Sequence, residues 1–418
     1  MQLPAQATGS AFISALTRNI PASGEGVRVE VGSVAGIDGL RGLAMVGVLM
    51  FHWLMLREGK HADALVDLVQ SSPALDFVVR SGYLGVDLFF LITGFLLALP
   101  WMKHAAEGRS APSTREFYRR RVLRIVPAYY VQLAFLFLLV LPLVQGIGYW
   151  RRDAYVLAGN LIAHLGFLHY TTPLTSASLN LNGALWTLTL EVQYYLLLPF
   201  IAPLFARRPW ATAATMVAIA LAWHERSAHG LQAFVDAYVW MGRMWSLTEA
   251  SARHFLVTQL PGYFAHFAAG LLAGRAWLRL RDVPSSPARD VASSVVLVAA
   301  LAGLSAALID GSRVLGQFTW LLTPVLLGLA AWASVSRRLG WALKALAFAP
   351  LAFFGRISYS FYLYHLPVLI LFNLYLPGAP PLLALPLYLA VMLPLAWASW
   401  RYVELPFMNL RQGKPRHA

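Results

Sequence analysis

GYLGVDLFFLITGFLLALPWM, residues 82–102, runs for 21 residues with one charge, Asp87. At 1.5 Å rise per residue it covers about 30 Å as a helix, the thickness of a bilayer's hydrocarbon core. A run of that length reads as a transmembrane helix. Nine more stretches read the same way: 40–56, 125–145, 183–205, 210–223, 255–277, 291–309, 314–335, 357–376 and 382–401. Residues 154–170 are a weaker case, interrupted by Asn160, His164 and His169, and are read as re-entrant or interfacial. The apolar but short 340–354 reads as a helix lying on the membrane surface. The fold class expected is an all-α polytopic membrane protein with about ten transmembrane helices.

Composition agrees. Of 418 residues, 58% are apolar and 12% charged, and the mean hydropathy is +0.60. Soluble domains carry about a quarter charged residues, so an ordinary soluble enzyme and a disordered chain are both excluded. The absence of cysteine excludes disulfides, thiol nucleophiles and cysteine-held metals.

The net charge of +14 is uneven. With ten spans and a cytoplasmic N-terminus, the inner side holds 24 Lys and Arg against 8 Asp and Glu, and the outer side 9 against 9. Counting 154–170 as an eleventh span would turn Arg207, Arg208, Arg275, Arg279, Arg281, Arg337, Arg338 and Lys344 outward, against the positive-inside bias. Both termini are therefore expected in the cytoplasm. Residues 1–35 lack an apolar core and read as a flexible tail rather than a signal peptide. Residues 36–408 read as one membrane domain and 409–418 as a basic tail. The basic excess reflects topology and lipid headgroups; no nucleic-acid partner is expected.

Ionisable residues inside spans are costly, and each is a candidate functional group. His52 lies about 16 Å along its helix from Arg41. Asp87, Glu191 and His365 are the others. Each also has a bland reading, as a hydrogen-bond anchor between helices. In REFYRRRVLRIVPAYY, residues 115–130, Arg119, Arg120, Arg121 and Arg124 crowd a helix N-terminus, where backbone N–H groups favour anions. Arg121 and Arg124 are three apart and share a face. Two readings stand here too, a stop-transfer cluster or a grip for phosphates. No Walker loop, dinucleotide fingerprint or HExxH occurs, and no metal is expected.

At these residues the chain resembles the acyltransferase-3 family of membrane acyltransferases, which includes bacterial O-antigen and peptidoglycan O-acetyltransferases. GIDGLRGLAMVGVLMFHW resembles the family's opening motif, an Arg, ten residues, then a His, here Arg41 and His52. GYLGVDLFFLITGFLL resembles its second-span signature, with Thr93 where Ser is usual. RRVLRIVPAYY matches its Arg-x-x-Arg element. LWTLTLEVQYYLLLP keeps Glu191 but has Val192 where a second Glu is common. GRISYSFYLYHLP and RYVELPF complete the order.

The resemblance implies a bacterial inner-membrane enzyme. It would move an acyl group, usually acetyl from acetyl-coenzyme A, to a hydroxyl of a carbohydrate or glycolipid acceptor. Some members carry a fused SGNH hydrolase-like domain; with 17 residues after the last expected span, none is expected here. In the mechanism this suggests, Arg121 and Arg124, with Arg119 or Arg120, hold the donor's phosphates, while Arg41 and Asp38 organise the inner mouth. His52 is the general base, oriented by Glu191 or Asp87. A covalent acyl-histidine is the alternative, with Ser360 and Thr93 as weaker nucleophiles. His365 is placed behind the reacting groups. Tyr149, Trp150, Tyr238, Trp240 and Trp245, in or beside outer loops, are candidates for stacking on sugars, or else interfacial anchors. The rival class is a proton-coupled transporter, which midplane His and carboxylates would also suit, but it predicts an internal repeat and none is visible.

Overall fold

The computed structural model describes residues 36–146, 148, 154–177, 182–243, 246–284, 286–309, 319–335 and 339–410. The tail expected at 1–35, most of that at 409–418, and Tyr149, Trp150 and Trp245 lie outside them. The described residues are helical, without a strand among them.

The long helices in chain order are α1 (Ile37–Arg57), α2 (Leu84–Ala106) and α3 (Thr114–Phe135). A short α4 (Ala154–Leu165) precedes α5 (Trp186–Arg207), α6 (Pro209–His229) and α7 (Phe264–Leu280). Then come α8 (Pro287–Ile309), α9 (Thr319–Ser334), α10 (Ser358–Tyr375) and α11 (Ala384–Ser399). Five helical runs are long and apolar enough to cross a membrane, and seven if each bent pair is one span. The protein is thus a multi-pass membrane protein. The shortfall from ten has local causes. α6 ends in His224, Glu225 and Arg226, which dilute its hydropathy. α7 is bent by 57° from the helix before it, and α10 by 77° from Ala349–Arg356. The beginning of the expected span 314–335 lies outside the described residues.

Small residues set the helix contacts, as packing rather than hydrophobicity drives association in lipid. A Cβ at Gly270 of α7 would strike the Leu91 carbonyl of α2, and one at Gly355 would strike the Asp38 carbonyl of α1. The segment read as a surface helix is therefore two short helices, Gly340–Leu346 and Ala349–Arg356, pressed on the first turns of α1.

α4, with 12 residues and about 18 Å, is too short to cross. Beyond it the chain reverses at Phe167, whose φ is 56°. The reversal stacks His164 on His169, ring centres 4.2 Å apart, with the Tyr129 hydroxyl donating to the His164 carbonyl at 3.1 Å. The polar residues that interrupt the apolar run are the ones that close this turn.

At the far end of α1, Arg57 is fully buried. It pairs with Asp63 at 2.5 Å and donates to the Asn373 amide oxygen of α10 at 2.6 Å. Its guanidinium also lies 4.9 Å from the Trp53 ring centre. Asp63 in turn caps the short helix Ala64–Gln70.

Candidate active site

α3 starts at the Ser113 cap and carries its arginines through the first three turns. A 3.6-residue period sorts them onto two faces. Arg119 and Arg120, three and four residues from Glu116, both pair with it, at 3.3 and 2.8 Å, on the exposed side. Arg119 also donates to the Leu410 carbonyl at 2.7 Å. These two, expected at the phosphate site, are turned away from it. Arg121 and Arg124 turn inward and line a cavity together with Arg41 of α1 and Glu191 of α5.

That cavity has a water-accessible volume of about 120 Å³. Its apolar wall includes Phe89, Phe90 and Leu188. Glu191 accepts hydrogen bonds from the Tyr195 hydroxyl and from Thr93 at 3.5 Å. Thr93, weighed as a nucleophile, thus serves the carboxylate. Arg41 reaches Asp38 at 3.4 Å. Arg121 lies over the Phe117 and Tyr195 rings, at 5.9 and 5.8 Å, and its Nε is buried without a hydrogen-bond partner. Of the three guanidinium groups lining the cavity, Arg41 is paired with Asp38 and Arg124 lies 3.9 Å from Glu404, which leaves Arg121, with its unpartnered Nε, as the group with donor capacity to spare.

Arg124 faces a group the sequence reading did not single out. Glu404 is buried, 3.9 Å from Arg124, and accepts from the Ser360 hydroxyl. It ends a π-helical turn, Trp400–Glu404, that continues α11. The extra residue in such a turn shifts the helix face and carries Glu404 inward. Ser360, the other candidate nucleophile, is buried between Glu404 and Ser399. Glu404 lies in RYVELPF, beyond the expected last span 382–401, and so was not weighed as a charge inside a helix.

His52 stands farther along α1. Eleven residues make three turns plus about 20°, so Arg41 and His52 share a face, with Met45 and Val48 buried between them. Neither carboxylate expected to orient it touches the ring. Its Nδ1 lies 3.0 Å from the Val48 carbonyl and 3.3 Å from Nε2 of His365. His365 is fully buried, its Nδ1 2.7 Å from the Tyr362 carbonyl. A carbonyl can only accept, so both rings carry their proton on Nδ1. Nε2 of His365 then accepts from His52, and Nε2 of His52 is left as the basic nitrogen. Tyr362 lines the arginine cavity, and its ring centre is 5.4 Å from that of His365. It is the shared wall between the two groups.

Asp87 is elsewhere. Its carboxylate faces His266 of α7 at 3.5 Å, both side chains being nearly buried. His266 was missed although it sits within an expected span, where the rule that picked out His52 applies equally. Of the candidate sugar-stacking residues, Tyr238 is buried against Phe255, while Trp240 is exposed with Arg243 over its ring at 5.5 Å. Among the described residues no group of three or more His, Asp or Glu could hold a metal ion.

Residues 34–401 match the family described as an acyltransferase domain. Peptidoglycan O-acetyltransferase OatA of Listeria monocytogenes is 23% identical over 401 residues, which cover 91% of this chain and 57% of that protein. O-acetyltransferase OatA of Staphylococcus aureus is 23% identical over 397 residues, 89% of this chain and 56% of that one. Nodulation protein 10 of Rhizobium leguminosarum is 27% identical over 259 residues, 59% and 61% of the two chains. This chain therefore spans a little over half the length of these relatives. No solved structure matches it.

Proposed function

The chain belongs to the acyltransferase-3 family, matching its domain over residues 34–401, and from this we propose that it is a membrane O-acetyltransferase. It takes acetyl from acetyl-coenzyme A on the cytoplasmic side of a bacterial inner membrane and transfers it to a hydroxyl of a carbohydrate or glycolipid. The observation that carries the donor assignment is the convergence of Arg41, Arg121 and Arg124 in one cavity, with a buried Arg121 Nε free to donate. Guanidinium forks suit phosphate oxygens, and an anionic, phosphate-bearing donor supplies them. The ten-span topology with both termini cytoplasmic puts this cavity at the inner face.

In this reading Arg121 and Arg124 bind the donor's phosphates, while Arg41 and Asp38 frame the mouth. The acceptor oxygen attacks the thioester carbonyl of the bound donor, the C–S bond breaks, and coenzyme A leaves as the thiol, taking the proton that His52 has accepted. Nε2 of His52 takes the proton from the acceptor hydroxyl, and His365 holds the ring in the required tautomer. For the thioester to meet His52, the Tyr362 side chain must move, since it separates the cavity from the histidine pair. Glu191, bonded to Tyr195 and Thr93, balances the arginines and holds the cavity's shape.

The test is turnover of labelled acetyl-coenzyme A by purified protein in detergent, wild type beside His52→Ala. A general base contributes about 10²–10⁴-fold. Loss of that order, with donor binding intact, is expected. Unchanged turnover would remove His52 from the reaction, and absence of donor binding by the wild type would remove the coenzyme A assignment.

A further inference from the structure

A second concave region lies between α6, α7 and α9, apart from the arginine cavity. It encloses about 580 Å³, within the usual range of ligand pockets. Leu272 of α7 and Val325, Leu329 and Trp332 of α9 form apolar walls. Arg275 and Arg279 of α7 also line it. Four residues apart, they share one face.

Their charges are uncommitted among the described residues. Arg281, next along the chain, pairs with Asp282 at 3.0 Å and covers Trp277. Neither Arg275 nor Arg279 has such an ion pair, and Arg275 Nε is shut from solvent without a hydrogen-bond partner. α7 runs parallel to α2, Gly270 beside Leu91 and Gly274 beside Phe95. The two arginines therefore sit at the end of the bundle where α2 finishes with Lys103, at headgroup depth. Trp210, largely exposed in the first turn of α6, lies at the rim as interfacial tryptophans do.

We propose that this groove is a specific site for one anionic glycerophospholipid. Its phosphate is held by the forks of Arg275 and Arg279, and an acyl chain lies along Leu272, Val325 and Leu329. The argument is charge complementarity in a membrane setting. An apolar groove is indifferent to lipid class, but two unpaired guanidinium groups at its end select a negative headgroup. Basic pockets between transmembrane helices take such headgroups in general.

The experiment is native mass spectrometry of the whole protein released from bilayers of mixed phosphatidylglycerol and phosphatidylcholine. One phosphatidylglycerol should be retained in preference, by about 25-fold, since each of the two basic groups near the surface contributes roughly a fivefold preference. Arg275→Ala with Arg279→Ala should bring the ratio close to one. Leu329→Trp, which fills the apolar wall and leaves both arginines, should also lose the retained lipid. Arg207→Ala with Arg208→Ala, basic residues outside the groove, should keep it. Equal retention of the two lipids would overturn the proposal. So would loss of preference in the Arg207 and Arg208 variant, which would mean diffuse surface charge. A lipid-independent dimer abolished by Leu329→Trp would overturn it in favour of a second copy of the chain.

Discussion

His52 and His365 meet through Nδ1 and Nε2, and their backbone partners decide what each nitrogen can do. Val48 and Tyr362 supply carbonyls four and three residues back along α1 and α10. Neither tautomer can flip without leaving a carbonyl facing a lone pair. His365 is thus a positioning residue, and its replacement has a signature. His365→Phe removes the acceptor behind His52 while keeping a ring in the space. We expect kcat to fall about tenfold, part of what a general base contributes, with KM for acetyl-coenzyme A unchanged; a matching rise in KM would mean a structural role. Much of this scale was legible in the chain. Glu191 was singled out as a charge inside an apolar span, and Arg121 and Arg124 as a pair sharing one face of a helix start; with Arg41 they line one cavity. The partner of His52 was not, because a His–His contact joins residues 313 apart in sequence, and no local pattern encodes it. Arg119 and Arg120 were over-read for a related reason. A run of arginines looks uniform until Glu116, a turn earlier, claims the two on its own face.

Helices carry the next layer. The bend between Ala349–Arg356 and α10 and the π turn at Trp400–Glu404 both place site residues, and both escaped a reading based on regular 3.6-residue periodicity. Glu404 was not singled out, because it lies past the expected last span, 382–401, and its burial depends on that π turn. The opposite end of α1 illustrates how such a helix is held. Arg57 and Asp63 are each almost completely buried, and breaking a buried pair from one side costs about 3–5 kcal/mol because the remaining charge has nowhere to go. Asp63→Ala should therefore lower thermal stability in detergent by an amount of that order, and also unwind the start of Ala64–Gln70. An exposed pair such as Arg109 with Glu107 should contribute about 0–1 kcal/mol by the same measurement. Equal effects at the two sites would contradict the burial.

At the scale of the molecule, the membrane class was readable from composition alone, since only helices and closed barrels satisfy backbone polar groups in lipid. The number of crossings was less so. Helices broken by a bend or ending in charges divide a hydropathy signal that a sequence reading joins. The ten-span topology we propose makes a direct prediction: a reporter fused after Ala418 reads as cytoplasmic, and an outward signal would invert the arginine cavity and remove its access to coenzyme A. One last property follows from Arg41 and His52 occupying the same stripe of α1. Their separation is a phase relation as much as a length. One inserted residue would swing His52 through about 100° and out of register with His365, while barely altering its depth. A deletion of four would restore most of the phase but bring the histidine about 6 Å nearer the arginines. Helix α1 therefore works as a gauge that sets angle and reach together, and the ten residues between that Arg and His satisfy both requirements at once.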